Sequence, residues 1–506
     1  MRTVCPRHRV VSVALALAVG VSLGCASIRT PSLASSWIRV ETAHLEIWSE
    51  VSEEETLEIA RELQFFAEVV RRVTGLQRVT SERPTRLFVF AEETWDELVE
   101  SRATGLFTAD ARRNTLLMQA DEEHAFMTRH VLFHEYVHFL VANQGNQDEL
   151  PYWYNEGWAE FLGTVRQRGD VVTVGEAAVL RWQHLHAGLD WLDMGDVLRA
   201  ERGPSGNNDV LMLYAQSWAL VHYLRVGRDE RRFFTDQFAD YLAAVRSGED
   251  DVEAFEVAFG IEVDALEPAI REHLADLRRI PYLEIPVRAL PEPPPVRVTA
   301  AARGAVAEAL GELETSLQDY RSASYYLAAA LEADPTNARL RASYGVAEAY
   351  RGREQAGLEA VEEALAAEPE DARLHVDLAR VLLAGVDYGN LEARPAGWDR
   401  ANVAAKKALR LDPDSAEAHF FRGYFLLAER RPDEAIEHLE RATNLLPGYV
   451  GARLYLARAY VRRGRVAEAE RHLRGLESSA HNEDIEGAIA TIRAEINDVA
   501  AGRAED

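Results

Sequence analysis

The spacing of apolar residues divides the chain into a mixed N-terminal half and a helical C-terminal half. Apolar and polar residues alternate at 37–41 and 44–48, which predicts two half-buried strands. Residues 54–74 carry apolar side chains at helical spacing, which predicts a helix. Short apolar runs at 87–90 and 115–119 predict further strands. Strands interspersed with helices are typical of an α+β domain.

A long helix is predicted at 122–143, directly after the strand at 115–119. A strand in that position suits a sheet edge, where an extended peptide substrate could pair with the backbone. The alternative is an ordinary strand within the sheet.

The helix at 122–143 carries His134, Glu135 and His138. Two histidines four residues apart lie on one face of a helix, so both imidazoles can reach one Zn²⁺. Glu135 is offset around the helix and can reach a water on the metal. This H-E-x-x-H spacing is typical of metalloproteases. The alternative is a chance match on an amphipathic helix.

A second motif, Asn155-Glu156-Gly157-Trp158-Ala159-Glu160, follows after a short loop. Together the two motifs resemble those of the gluzincin metallopeptidases, the thermolysin-like and aminopeptidase-like group. The resemblance implies a zincin-like fold, one Zn²⁺ per chain and Glu156 as third ligand, with the fourth position left to water. Seventeen residues separate His138 from Glu156, a spacing that fits this family.

The same resemblance assigns roles to other acidic residues. It implies that Glu135 is the general base and that Glu160 accepts a hydrogen bond from a ligand imidazole. For Glu160 the alternative is a solvated charge on the helix surface. The Gly-x-Met-x-Asn motif with which related aminopeptidases grip a free N-terminus is absent from the sequence, so aminopeptidase activity is not implied.

The stretch 213–224 resembles the Tyr-x-Gln-Ser helix of small bacterial peptidase-MA-like domains. This resemblance implies that Tyr214 stabilises the oxyanion of the tetrahedral intermediate. His222 and Tyr223 are rival candidates for that role. The alternative for each is a core aromatic residue of an amphipathic helix.

Residues 300–500 repeat with a period of 34 residues, which separates Pro335 from Pro369 and Pro413 from Pro447. Small residues recur in columns where two helices would cross closely. They are Gly311, Gly345, Ala379, Gly423 and Ala457, then Ala323, Gly357, Ala401, Ala435 and Ala469, then Ala330, Ala364, Ala408 and Ala442.

These columns resemble tetratricopeptide (TPR) repeats over about five units, with an insertion near 386–398. The resemblance implies an all-α solenoid whose concave face binds a protein partner or an extended peptide. Alternatively, the repeats serve only to dock the peptidase in an assembly. The proline-rich segment 284–299 predicts a stiff linker between a peptidase domain at 37–283 and the repeats.

Residues 1–25 predict a signal peptide, with a basic start and an apolar run at 10–24. The segment ending at Cys25 resembles a bacterial lipobox, which implies lipidation of Cys25 and anchoring in the cell envelope, at the periplasm or outer membrane. The alternative is ordinary signal-peptidase cleavage nearby. Cys5 and Cys25 are the only cysteines, so the mature chain has no disulfide and any metal must be held by His, Asp or Glu.

The formal net charge of -27 argues against nucleic-acid binding, which needs clustered basic surface. The leading hypothesis is an exported zinc metallopeptidase, acting on peptides or proteins, with a repeat domain for partner or substrate. The alternative is a scaffold lipoprotein with a non-catalytic zinc site. A third hypothesis is another zinc-dependent hydrolase that uses the same ligands.

Overall fold

The chain folds into two β-sheets, a layer of helices on the larger sheet, and a helical array. The computed structural model describes residues 33, 35–43, 45–75, 85–98, 105–109, 112–120, 125–142, 150–200, 207–226, 235–292, 294–386, 394–446, 448–477 and 483–500. The predicted signal peptide with Cys25 lies outside the described residues, as do Pro447 and part of the predicted insertion.

The larger sheet has six strands, of which three run parallel. They are β1 (Ile38–Glu41), β2 (Glu46–Ser49), β3 (Thr85–Ala91), β4 (Gly105–Ala109), β5 (Asn114–Ala120) and β9 (Arg297–Ala300). Their order is β4-β5-β3-β2-β1-β9, with β2, β3 and β5 parallel to one another. The smaller, antiparallel sheet contains β6 (Arg166–Arg168), β7 (Val171–Val174) and β8 (Leu283–Pro286).

The strand at 115–119 lies within the sheet, so the second of its two interpretations is confirmed and the sheet-edge interpretation is wrong. β5 pairs with β3 on one side and with β4 on the other. The edge strand is β4, which the apolar pattern does not predict, because Gly105-Leu106-Phe107-Thr108-Ala109 lacks clear alternation. β4 pairs antiparallel with β5, and its backbone runs beside the helix that carries the histidines.

The segment 284–299 is not a free linker. β8 pairs with β7 of the smaller sheet, and β9 pairs with β1 at the far edge of the larger one. Val287 N also donates a hydrogen bond of 2.8 Å to Asp170 O. Pro286 is the last residue of edge strand β8, where a missing N–H costs little, and Pro291, Pro294 and Pro295 lie between β8 and β9. The N-terminal domain is therefore completed by residues beyond 283.

Ten helices of the described chain belong to the N-terminal domain. They are α1 (Glu53–Thr74), α2 (Glu92–Leu98), α3 (Ala125–Ala142), α4 (Tyr152–Leu162), α5 (Val179–His186), α6 (Met194–Arg199), α7 (Asn207–Val226), α8 (Thr235–Ser247), α9 (Asp251–Phe259) and α10 (Leu266–His273). The predicted helices near 54–74 and 122–143 are present as α1 and α3. Ser52 caps α1 in a capping box, and Gly75 ends it at φ 75°.

Both faces of the larger sheet are buried. On β3, Leu87 and Val89 point into the core that contains α1, α3, α4 and α7. Phe88 and Phe90 point to the opposite face, where they pack with residues of the first helical hairpin of the array. Continuous apolar runs are the expected pattern for strands covered on both sides. The array is thus attached to the sheet by an apolar interface.

The helical array contains five antiparallel hairpins and a closing helix. Its helices are α11 (Arg303–Ser316), α12 (Tyr320–Ala333), α13 (Ala338–Tyr350), α14 (Glu354–Ala367), α15 (Ala372–Leu382), α16 (Trp398–Leu411), α17 (Ala416–Ala428), α18 (Pro432–Leu445), α19 (Val450–Arg462), α20 (Val466–Glu477) and α21 (Glu483–Ala500). The long connection in the third hairpin, at 383–397, corresponds to the predicted insertion.

Close helix crossings explain the columns of small residues. A Cβ on Gly345 would lie 2.7 Å from Gly357 O, and the alanines of the second and third columns are buried. No helix in the described part of the chain combines the length and apolarity needed to cross a bilayer.

Candidate metal centre

Three predicted metal ligands converge between two buried helices. His134 Nε2 and His138 Nε2 lie 3.0 Å apart, and Glu156 Oε2 lies 3.4 Å and 3.5 Å from them. Tetrahedral Zn²⁺ with bonds of about 2.0–2.1 Å would separate its ligand atoms by about 3.3 Å. The three donor atoms therefore already have the mutual distances that a tetrahedral zinc site requires.

One of the three donor atoms has no hydrogen-bond partner in the described part of the chain. This atom is the buried Glu156 Oε2. Leaving a buried carboxylate oxygen unsatisfied costs free energy. A cation held between the two imidazoles would satisfy that oxygen, so the residues present fit a Zn²⁺ ion.

The charge of the centre also suits a divalent cation. Glu135, Glu156 and Glu160 are buried, and Arg181 pairs with Glu160. Three carboxylates against one guanidinium leave two uncompensated negative charges when the histidines are neutral. Buried charges are tolerated when they are paired or bind metal.

The pKa values of the ligands reflect this excess of negative charge. Burial lowers the pKa of His134, but the nearby carboxylates of Glu156 and Glu160 outweigh burial and raise the pKa to about 10. Burial raises the pKa of Glu156, but His138 and His134 outweigh it and lower the pKa to about 2. Without metal, a proton on His134 would therefore take the place of the cation.

Glu160 lies beside His134. Its hydrogen bond to a ligand imidazole stays a prediction, because His134 Nδ1 has no hydrogen-bond partner among the described residues. Its Oε1 is 3.4 Å from His134 Nδ1 and 2.5 Å from Arg181 Nη2, and its Oε2 is 3.2 Å from His130 Nε2. The side chain is 1% exposed, so the solvated-charge alternative is wrong. On the other ligand, His138 Nδ1 lies 3.3 Å from Asn155 Oδ1.

The sequence analysis missed His130 and Arg181. His130 precedes His134 by four residues on α3, so the His-x-x-x-His spacing to His134 could have identified it. Arg181 comes from α5, 21 residues after Glu160, and no local pattern indicates it.

Glu135 is 3% exposed, and burial raises the pKa of its carboxyl group. The charges of His134 and His138 act on it in the opposite direction. A carboxylate with a raised pKa next to a metal centre is suited to accept and release a proton near neutral pH.

Tyr214 reaches the centre from α7. Its ring centroid is 6.3 Å from that of His134, and its hydroxyl accepts a hydrogen bond of 3.2 Å from Tyr152. Burial raises its pKa well above the usual range, so the hydroxyl stays protonated and can donate. The rivals lie elsewhere in the core. His222 contacts His273 Nε2 at 2.9 Å and Gly175 O at 2.8 Å, and Tyr223 packs on the His273 ring.

Gly157 brings α4 and α7 together next to Glu156. A Cβ at this position would lie 2.5 Å from Ser217 O and 2.6 Å from Val221 Cγ2. Glycine is therefore required for the close packing that holds Tyr214 beside the ligands.

Two family models match the C-terminal part of the chain. Both are described as tetratricopeptide repeat, and they match residues 389–449 and 426–492. Residues 389–492, which include helices α16 to α20, carry tetratricopeptide repeats. Both matched ranges lie outside the candidate metal centre. No curated protein sequence matches the chain.

Several solved structures are similar to the tetratricopeptide repeats. One is a thermophilic TPR protein of Thermus thermophilus, with 23% identity over 38% of this chain and 99% of that chain, and a TM-score of 0.33. PilF of Pseudomonas aeruginosa has 20% identity over 40% and 88% of the two chains, with a TM-score of 0.30. A MamA protein has 17% identity over 40% and 97%, with a TM-score of 0.25.

The first helices of successive repeats (α11, α13, α15, α17 and α19) pack against one another more closely than the second helices do. They therefore form the inner layer of the solenoid. This layer carries acidic side chains, among them buried Asp377 and Glu417 and partly buried Glu312.

Proposed function

We propose that the N-terminal domain is a zinc-dependent peptidase of the gluzincin type. The observation that carries this proposal is the convergence of His134, His138 and Glu156 at tetrahedral ligand distances, with Glu135 buried beside them. When bound, Zn²⁺ would polarise the scissile carbonyl group and lower the pKa of a coordinated water to about 7.

The chain's own residues supply the remaining chemistry. Glu135 takes a proton from the attacking water and passes it to the leaving amine. Tyr214, kept protonated by burial, donates a hydrogen bond to the oxyanion. Glu160 fixes the orientation of the His134 ring, and Arg181 keeps Glu160 ionised.

The substrate class is a peptide or an unfolded protein segment. β4 is a sheet edge whose backbone runs beside α3, so an extended peptide can add to the sheet there by backbone hydrogen bonds. We propose further that the protein is exported and anchored through lipidated Cys25, and that the repeats bind a protein partner.

The direct test is proteolysis of a peptide library by the wild type and by Glu135→Gln, with the zinc content of both measured. We expect Glu135→Gln to keep the metal and to lose roughly 10²- to 10⁴-fold in activity, because only the proton acceptor is removed. Equal cleavage by both proteins, or none by either when zinc is bound, would count against a peptidase.

A second candidate function is a protein-binding scaffold in which the zinc site is not catalytic. It is favoured by the family matches, which fall within the repeats. A metal-bound wild type without proteolytic activity would support it. Cleavage of an ester or amide substrate but of no peptide would instead indicate another zinc-dependent hydrolase.

A further inference from the structure

Two adjacent arginines directly before β5, Arg112 and Arg113, contact side chains of the solenoid. Arg112 contacts Asp377 at 2.6 Å and Glu417 at 3.0 Å. Arg113 pairs with Glu312. One short segment of the N-terminal domain is therefore held by acidic side chains of three repeats.

These acidic residues belong to the inner layer, because α11, α15 and α17 carry Glu312, Asp377 and Glu417 respectively. The Asp377 side chain is 0% exposed. Among the described residues, Arg112 is the one cation within 4 Å of it. Glu417 also lies 3.5 Å from Arg380, so Asp377 is the carboxylate that depends most on Arg112.

The contacts of Arg112 use the fork geometry of a guanidinium. Its Nη2 donates to Asp377 and its Nε donates to Glu417. Lysine offers a single charged nitrogen and lacks this geometry. A buried carboxylate such as Asp377 is costly without a partner, so the site favours occupation.

We propose that the inner face of the solenoid is a receptor for a pair of adjacent arginines, and that Arg112 and Arg113 occupy it in cis. A partner protein that presents an Arg-Arg segment would compete with the chain's own segment. The solenoid is thus closed by an internal ligand until such a partner arrives.

Displacement would also affect the edge of the sheet. Arg112 and Arg113 directly precede β5, which pairs with edge strand β4. Their release would loosen β4 beside α3. Loosening of β4 would change peptide hydrolysis, and that consequence rests on the proposed function. Competition for the receptor does not depend on the proposed function.

The test uses a synthetic peptide copying residues 108–115 and a control peptide with lysine at both arginine positions. Binding is measured by calorimetry to the full mature chain carrying Glu135→Gln, which prevents cleavage. We expect the double variant Arg112→Ala/Arg113→Ala to bind the arginine peptide at least tenfold more tightly than it binds the lysine peptide. It should also bind the arginine peptide at least tenfold more tightly than the parent chain does, the parent chain being the one that carries Glu135→Gln alone. Adding Asp377→Asn should weaken binding at least tenfold.

Hydrogen exchange on the parent chain tests the same proposal without emptying the receptor by mutation. Excess arginine peptide should increase exchange of backbone amides at 105–120, and the lysine peptide should not. Arg458→Ala is the control for the double arginine variant, because it removes an arginine whose ion pair, with Glu495 at 2.6 Å, lies elsewhere in the array. No exchange response to the arginine peptide, or equal binding of both peptides to the emptied receptor, would overturn the proposal. Because neither readout needs hydrolysis, an inactive enzyme would not affect it.

Discussion

Glu160 connects the metal centre to the surrounding protein, since one carboxylate contacts His134, His130 and Arg181. We expect Glu160→Gln to weaken zinc binding by about 10- to 100-fold, because the neutral amide supports the ligand imidazole less well. Chelator competition measures the affinity. Glu176→Gln is the matched control, since Glu176 pairs with Arg168 at 2.8 Å outside the centre. Equal zinc affinity in all three proteins would contradict this role.

Glu314 gives a pH-dependent prediction in the repeats. Its side chain is buried, Oε1 has no hydrogen-bond partner among the described residues, and burial together with Asp319 raises its pKa to about 8. The folded state therefore favours neutral Glu314, so stability is lost as pH rises from about 4.5 through 8. Each unit of pKa difference corresponds to about 1.4 kcal/mol.

We accordingly expect Glu314→Gln to raise the unfolding temperature at pH 8 and to change it little at pH 4. Thermal unfolding followed by circular dichroism at both pH values measures this. Glu332→Gln, at an exposed position of α12, is the control and should have no such effect. A stabilisation of equal size at both pH values would show that Glu314 does not titrate as described.

The residues of the candidate metal centre differ in how far the sequence predicts their place in the site. His134, His138 and Glu156 could be predicted because helical spacing and motif context place them on two neighbouring helices. Arg181 could not, because its position depends on how α5 packs after the chain turns back through the smaller sheet. The rivals His222 and Tyr223 share a helix with Tyr214, and only packing separates them from it.

At the scale of elements, the contact between α4 and α7 decides the geometry of the centre. Gly157→Ala would place a Cβ 2.5 Å from Ser217 O, so the helices must move apart. We expect a loss of about 1–3 kcal/mol in the free energy of unfolding, and reduced activity because Tyr214 moves away from Glu156.

Denaturant unfolding measures the effect of Gly157→Ala on stability. Gly487→Ala is the matched control, because that glycine lies in helix α21 with no atom within 4 Å of an added Cβ. Alanine is the better helix former, so this control should be neutral or slightly stabilising. Equal stability of the two variants would mean that α4 and α7 are not closely packed.

Strand pairing was the least predictable feature at this scale. The apolar pattern identifies β3 and β5 but not β4, whose place at the edge follows from its hairpin with β5. The prolines at 284–299 suggest a linker, yet two short strands there complete both sheets. A proline-rich composition predicts that a segment is stiff, but it does not predict which distant strands the segment pairs with.

For the whole molecule, the main unexpected feature is the contact between the two halves. The repeat columns predict the solenoid, and the continuous apolar strands indicate that both faces of the sheet are buried. Neither pattern identifies the first repeat hairpin as the second cover of the sheet. Apolar packing and the ion pairs of Arg112 and Arg113 together join the repeats to the domain that holds the candidate metal centre.

The convergence of the ligands on one divalent ion is tested most directly by elemental analysis of the purified full-length protein and of two ligand variants. We expect about one zinc per chain in the wild type, because three donors are already in place. Zinc should be lost in His138→Ala and in Glu156→Gln, while both variants stay folded by circular dichroism. A wild type that binds no metal even with added zinc, or stoichiometric zinc in both variants, would contradict the assignment.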